Sequence, residues 1–157
     1  MTLKEHLGKG IKQAGEIFVL DLEAMPQDIL GKSPGGIART PFDYAYEIAL
    51  INKRIAARLR GEDPGPWPFA DVKWVTCAAE YCDKDKITAF VRESFEEVNQ
   101  AWQAFDETQL ETPIKLPKGE TSALDLGAMA FSHAVYHDGQ LNYAQSISGD
   151  DEMHWQD

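Results

Sequence analysis

Residues 132–141 read SHAVYHDGQL, and the rest of the fold is organised around this stretch. If it is helical, the side chains of His133 and His137 lie one turn apart on the same face. Two imidazoles aimed at one point are half of a metal site, and a catalytic site adds a third protein ligand and an open position. The alternative is a pair of core histidines with separate hydrogen bonds, but one ion satisfies both rings at once. The spacing therefore predicts a metal centre completed from another helix.

The histidine pair lies on the apolar face of a predicted helix. This helix begins at Thr121 or Ser122, where Asp125 follows in a capping arrangement, and it continues to about Ile147 before Gly149. The same face carries further apolar residues at helical spacing, namely Leu126, Met129, Ala130, Leu141 and Ala144. The two imidazoles are therefore expected to point into the protein.

Three earlier segments show the same helical periodicity. They extend from Leu3 to about Met25, from Pro41 to Arg60 behind the N-cap Thr40, and from Asp83 or Asp85 to about Phe105. Connections rich in proline and glycine separate them, with one extra helical turn at residues 27–30, and no segment predicts a β-strand. One apolar face per helix predicts an all-α four-helix bundle with long crossover loops, built as a single domain over residues 1–157.

The connection after the second helix carries three aromatic residues, Trp67, Phe69 and Trp74. Its proline-rich start predicts a stiff, extended chain. We expect these aromatic residues to cover one end of the core. The alternative is a lid over a substrate pocket, because long loops in compact domains are often functional.

Composition excludes several classes of partner. The formal net charge of −11 repels phosphate backbones and anionic lipids, so neither nucleic acid nor membrane is an expected partner. No apolar run approaches the roughly 20 residues that span a bilayer, and the N-terminus lacks the apolar segment of a secretory signal. We expect a cytoplasmic protein in which Cys77 and Cys82 are free thiols.

Glu47 lies beside the apolar stripe of the second helix, one turn from Tyr44 and Ile51. A glutamate in such a place is most often solvated. A buried glutamate needs a partner instead, and a metal ion is one. Taken alone, the residues leave both interpretations open.

The histidine pair is not a zincin motif, because Ala134 stands where that motif has its glutamate. Residues 133–141 resemble the H-x-x-x-H-x-G-Q motif on the last helix of the DinB/YfiT-like family of metal-dependent enzymes. Residues 40–47, TPFDYAYE, are similar to the start of that family's second helix. The tail QSISGD at 145–150, followed by His154 and Trp155, is similar to the endings of some members.

The resemblance implies a set of metal ligands. In the family a third histidine from the second helix usually completes the site, and the matching position here holds Glu47, with Tyr44 and Tyr46 as nearby alternatives. Glutamate is an accepted ligand in catalytic zinc sites, although its charge makes bound water less acidic and favours harder metals. The implied ligands are thus Glu47, His133 and His137.

Four neighbours of His137 are assigned supporting roles. Tyr136 and Asp138 either orient ligands and relay protons or lie on the helix surface, and the surface is the favoured interpretation for Asp138. Gln140 is expected to hydrogen-bond a ligand or to tie this helix to the first one. Gly139 lowers helix stability by about 1 kcal/mol relative to alanine, so we expect it to pack closely against a neighbour.

The resemblance also implies a function. The site would hold nickel or zinc, with manganese or iron as alternatives, and the protein would be a homodimer. The implied enzyme is a transferase that uses a low-molecular-weight thiol, or a hydrolase, acting on a small-molecule substrate. The competing hypothesis is a non-catalytic binding or dimerisation module whose metal site is structural or vestigial.

Overall fold

The computed structural model describes residues 1–155 and contains five α-helices in that range. They are α1 (Leu3–Ala24), α2 (Gln27–Leu30), α3 (Pro41–Leu59), α4 (Lys84–Ala104) and α5 (Ala123–Ile147). The four long helices coincide with the four predicted segments, and α2 is the predicted single turn. The all-α prediction is confirmed.

A side-chain cap precedes each long helix. The caps are Thr2, Thr40, Asp83 and Ser122, and each accepts a hydrogen bond from the backbone N–H three residues later. Pro41 occupies the first turn of α3, where its missing N–H would have no helical partner. These residues start the helices where the sequence predicts, because they satisfy backbone donors that a helix start leaves open.

The four long helices enclose one hydrophobic core. α1 packs against α4 and α5, and α3 packs against the same two helices, so the bundle is closed on all sides. Trp102 is 1% exposed at the centre of one end, and its indole N–H donates to the Lys4 carbonyl at 3.0 Å. The largest buried aliphatic side chains are Ile11, Leu22, Met25, Leu30, Ile48, Ile55, Ile87 and Leu141.

Aromatic rings of α4 approach three glycines of the neighbouring helices too closely for a Cβ atom. A Cβ on Gly8 of α1, 2.9 Å from Trp102, would be the least tight, and the other two are tighter. A Cβ atom on Gly127 of α5 would lie 2.5 Å from Cζ3 of Trp102, and one on Gly15 of α1 would lie 2.6 Å from Cδ1 of Phe95. No real Cβ atom fits at such distances. The separations of α1 and α5 from α4 therefore depend on hydrogen at these two positions.

The connection between α3 and α4 is tied to α3 at two places. Arg54 donates to the carbonyls of Pro64, Gly65 and Pro66, and the Asp43 carboxylate accepts from the Cys77 N–H at 2.8 Å. Trp67 and Phe69 are half-buried against this frame. Trp74 is 53% exposed, so the expectation that it covers the core is wrong; buried Val75 and Cys77 lie there instead.

Between α4 and α5 the chain forms a minimal antiparallel pairing. Strand β1 (Ile114–Lys115) pairs with β2 (Glu120–Thr121), with Ile114 opposite Thr121. The sequence predicted no strand here, because two residues are too few to show alternation. Gly119, at φ +91°, lets the chain reverse between them.

Among residues 1–155, no helix combines the length and the apolar character that crossing a bilayer requires. Cys77 is buried, Cys82 is exposed, and both are free thiols as predicted.

Candidate metal centre

Three ligand-type side chains converge at one point between α3 and α5. Nε2 of His133 lies 3.0 Å from Nε2 of His137, and the Glu47 carboxylate oxygens lie 4.0 Å and 3.8 Å from these two nitrogens, respectively. Bonds from zinc to nitrogen or oxygen are about 2.0–2.2 Å, so ligand atoms around one ion lie within about 4.4 Å of each other. Glu47, His133 and His137 can therefore hold one metal ion.

Gln140 determines which nitrogen of His137 carries hydrogen. Nδ1 of His137 lies 2.7 Å from Oε1 of Gln140, and an amide oxygen only accepts, so Nδ1 is the donor. Nε2 of His137 then presents a lone pair to the centre, as a metal ligand does. Gln140 thus contacts the His137 ring, whereas the side-chain bond from this helix to the first one is donated by Asn142 to Asp21.

The contact between the two imidazoles makes Nε2 of His133 a donor to His137. Nδ1 of His133 is then an acceptor, and it is buried with no hydrogen-bond partner among the described residues. A metal ion between the rings would take the place of the hydrogen on Nε2 of His133. The two Nε2 atoms are therefore already placed as two ligands would be, with that hydrogen between them.

Burial keeps both imidazoles neutral near pH 7. It lowers the pKa of His137 to about 3, and the neighbouring His133 acts in the same direction. Burial also lowers the pKa of His133, against the opposing effect of Glu47. Neutral imidazole is the form that binds metals.

Glu47 has a partner that the sequence analysis did not identify. The guanidinium of Arg39 contacts Oε2 of Glu47, and the two side chains are only 13% and 19% exposed. Arg39 precedes the N-cap Thr40 and lies in the connection, where no periodicity indicates the direction of a side chain. Its one visible signal is that it is a basic residue beside the helix that carries Glu47.

The tyrosines considered as alternative ligands have other partners. Tyr44 stacks on His137 with ring centres 5.7 Å apart, and its hydroxyl donates to the Arg39 carbonyl at 3.0 Å. Burial raises the pKa of Tyr44 to about 12, so the phenol keeps its proton. Tyr136 packs edge-on against His137 at 4.9 Å. Tyr46 instead contacts Phe69, Tyr81 and Phe90.

Sequence comparison places this arrangement in a known family. A sequence model of the DinB superfamily matches residues 12–141, a range that includes all three converging side chains. The chain belongs to the DinB superfamily. No curated protein is significantly similar to it in sequence.

The fold of this DinB-superfamily chain is similar to that of a crystal structure described as the conserved protein of a locus from Enterococcus faecalis. The two share 16% sequence identity with a TM-score of 0.72, and the match covers 94% of this chain and 97% of that chain. At this identity the likeness shows a common fold.

A cavity of about 450 Å³ lies beside the three converging residues of the DinB-superfamily chain. Four of its lining residues touch the centre: Arg39 contacts Glu47, Gln140 bonds to His137, and the rings of Tyr44 and Tyr136 pack on His137. The others are Pro34, Ala38, Gly139 and Tyr143. Glu47, His133 and His137 are not themselves in the lining, so the cavity, which has the size of a small-molecule site, meets the centre only through these contacting residues.

Two expectations about α5 are wrong. A Cβ on Gly139 would meet nothing within 4 Å, so this glycine is not a close-packing position; it borders the cavity. Asp138 does not lie on the open surface but faces the wholly buried Asp21 of α1. Burial, reinforced by Asp21, raises the pKa of Asp138 to about 7. The pattern of apolar residues in α5 did not show that α1 would pack over Asp138.

Proposed function

We propose that this DinB-superfamily chain is a metal-dependent enzyme acting on a small molecule, either a transferase that uses a low-molecular-weight thiol or a hydrolase. Glu47, His133 and His137 would hold the divalent ion, with nickel or zinc first and manganese or iron as alternatives. The observation that carries the proposal is the convergence of these three side chains beside a cavity of about 450 Å³.

A bound divalent ion supplies Lewis-acid activation of water or of a thiol, so that a nucleophile exists at neutral pH. The chain's own residues prepare that chemistry. Gln140 holds the Nδ1 hydrogen of His137 and keeps Nε2 facing the centre, while Tyr44 fixes the plane of the ring by stacking on it. Burial of His137, which is 1% exposed, excludes water from one side of the site.

The alternative of a structural metal site in a non-catalytic module has less support. Structural zinc sites are usually closed by four protein ligands, whereas catalytic ones keep a position open. Among residues 1–155, three ligand-type side chains form the cluster, and the Tyr44 hydroxyl is already bonded to the Arg39 carbonyl. The cavity behind Arg39, Tyr44 and Gln140 is the space that a catalytic site would use.

Metal content tests the proposal. The protein is purified without chelator, reconstituted with nickel, zinc or manganese, and its metal is measured by mass spectrometry. We expect one ion per chain, and loss of that ion in Glu47→Ala. Glu97→Ala is the matched control. Glu97, on α4, is also partly buried and ion-paired, but its partner is Lys53 of α3, away from the histidines. Absence of stoichiometric metal after reconstitution would overturn the proposal.

Turnover separates the enzyme from the module. Metal-loaded protein is assayed for conjugation of a small thiol to chloro-dinitrobenzene and for hydrolysis of nitrophenyl acetate. We expect one of these activities to depend on added metal and to disappear in Glu47→Ala. Full metal loading without either activity would favour the non-catalytic module.

A further inference from the structure

We infer that Arg39 is the anion-binding residue of the cavity and that the substrate is a small carboxylate with a flat, apolar body. The inference rests on the proposed function, because it assigns the substrate class of the same site. Four observations carry it: the position of Arg39, the local charge, the cavity walls and the open space at Gly139.

Arg39 is held in place before any ligand arrives. Its guanidinium carbon lies 4.9 Å from the ring centre of Trp74 and 5.7 Å from that of Tyr44. Its carbonyl accepts the Tyr44 hydroxyl, and its side chain is 13% exposed. A guanidinium fixed in this way presents its planar donors without loss of side-chain freedom, as bidentate binding of a carboxylate requires.

The local charge depends on the metal. Without an ion, Arg39 and Glu47 neutralise each other. A divalent ion held by Glu47 and two neutral histidines would leave the centre with one net positive charge. The guanidinium of Arg39 would add another positive charge beside it. The whole chain has a net charge of −11, so this would be a local positive exception that attracts anions.

The cavity walls are suited to a flat apolar body. Tyr44, Tyr136 and Tyr143 contribute ring surfaces, and Arg39 is the one charged residue among those that line the cavity in the described chain. Gly139 is an exposed lining residue, and a Cβ there would meet nothing within 4 Å, so the cavity is open beside it. One guanidinium offers the pair of parallel N–H donors that a carboxylate takes, whereas the several oxygens of a phosphate need more donors than this lining provides.

Calorimetric titration of the zinc-loaded protein with benzoate tests the inference. Benzoate should bind, and benzyl alcohol and inorganic phosphate should bind more weakly. Arg39→Gln should weaken benzoate binding by about 10- to 100-fold, as expected for lost hydrogen bonds to a charged group, with zinc per chain unchanged. Arg92→Gln is the matched control, because Arg92 also pairs with a glutamate, Glu23, but on the outer surface.

A second variant leaves Arg39 intact. Gly139→Leu adds a side chain at the lining of the cavity, and it should weaken benzoate binding while zinc per chain and the far-ultraviolet circular dichroism remain those of the wild type. Benzoate binding equal to wild type in Arg39→Gln, or equal affinity for benzyl alcohol, would overturn the inference and leave the metal proposal standing. Tighter binding of phosphate than of benzoate would overturn the carboxylate assignment. Failure to load zinc would overturn both proposals.

Discussion

At the scale of single residues, the candidate site depends on which ring nitrogen of each histidine carries the hydrogen. Gln140 and His137 are three residues apart on α5, so their contact follows from the helix itself. His133 has no comparable partner for Nδ1 among residues 1–155. The two histidines therefore differ. His137 is oriented by Gln140, whereas His133 is oriented by its contact with His137.

The first prediction concerns Gln140. Gln140→Met keeps the volume of the side chain but removes the acceptor that orients His137, so zinc affinity should fall by about 10- to 100-fold. Gln140→Glu retains an acceptor at the same place and should bind zinc at least as tightly as the wild type. Competition with a chromophoric chelator measures both affinities. Equal affinities for the two variants would show that this hydrogen bond does not support the site.

At the scale of the helices, two glycines of α5 have opposite surroundings. A Cβ on Gly127 would overlap the Trp102 ring, and that ring is held by its hydrogen bond to the Lys4 carbonyl. A Cβ on Gly139 would meet nothing within 4 Å. Gly127 therefore determines helix packing, whereas Gly139 makes no packing contact and lies in the lining of the cavity.

The second prediction uses this contrast. Gly127→Ala should lower the free energy of unfolding by about 1–3 kcal/mol, because a held ring cannot make room for the methyl group. Gly139→Ala should raise it by up to about 1 kcal/mol, since alanine is the better helix former. Urea denaturation of the two variants beside the wild type measures the difference. A stabilised Gly127→Ala protein would contradict the tight contact between α5 and α4.

At the scale of the whole molecule, the outer face of α5 stands out by its lack of charge. The exposed residues from Ala128 to Ile147 are uncharged. Tyr136, Gly139 and Tyr143 among them line the cavity, and the apolar ones outside that lining include Phe131, Val135 and Ile147. The chain as a whole carries a net charge of −11, so two copies repel each other over most of their surfaces. This face is the part of α5 where a second copy can approach without that repulsion.

The third prediction is a homodimer through the outer face of α5. Light scattering on a sizing column should give twice the chain mass for the wild type. Val135→Glu should shift the protein to monomer, because it puts two like charges into a self-complementary contact. Leu20→Glu, at a 44% exposed position on α1, adds the same charge elsewhere and should remain dimeric. A monomeric wild type, or a dimeric Val135→Glu variant, would contradict the predicted interface.

The sequence by itself determined the helices and one half of the candidate site. Periodic apolar residues and the caps Thr40 and Ser122 predicted the elements, because both signals act within a few residues of the chain. The spacing of His133 and His137 placed two imidazoles together for the same local reason. The sequence left two interpretations of Gln140, a contact with His137 and a tie to the first helix, and the structure shows the contact with His137.

Only the tertiary structure decided what faces the histidines from other elements. Glu47 could be solvated or enclosed until the packing of α3 against α5 placed it beside them. The contact of Arg39 with Glu47 had only a weak signal in the sequence, a basic residue beside the second helix. The burial of Asp138 against Asp21 and the open space at Gly139 had none. The physical reason is that helical periodicity shows which face of a helix is apolar. The partner of each side chain depends instead on how the helices pack and where the connections between them run.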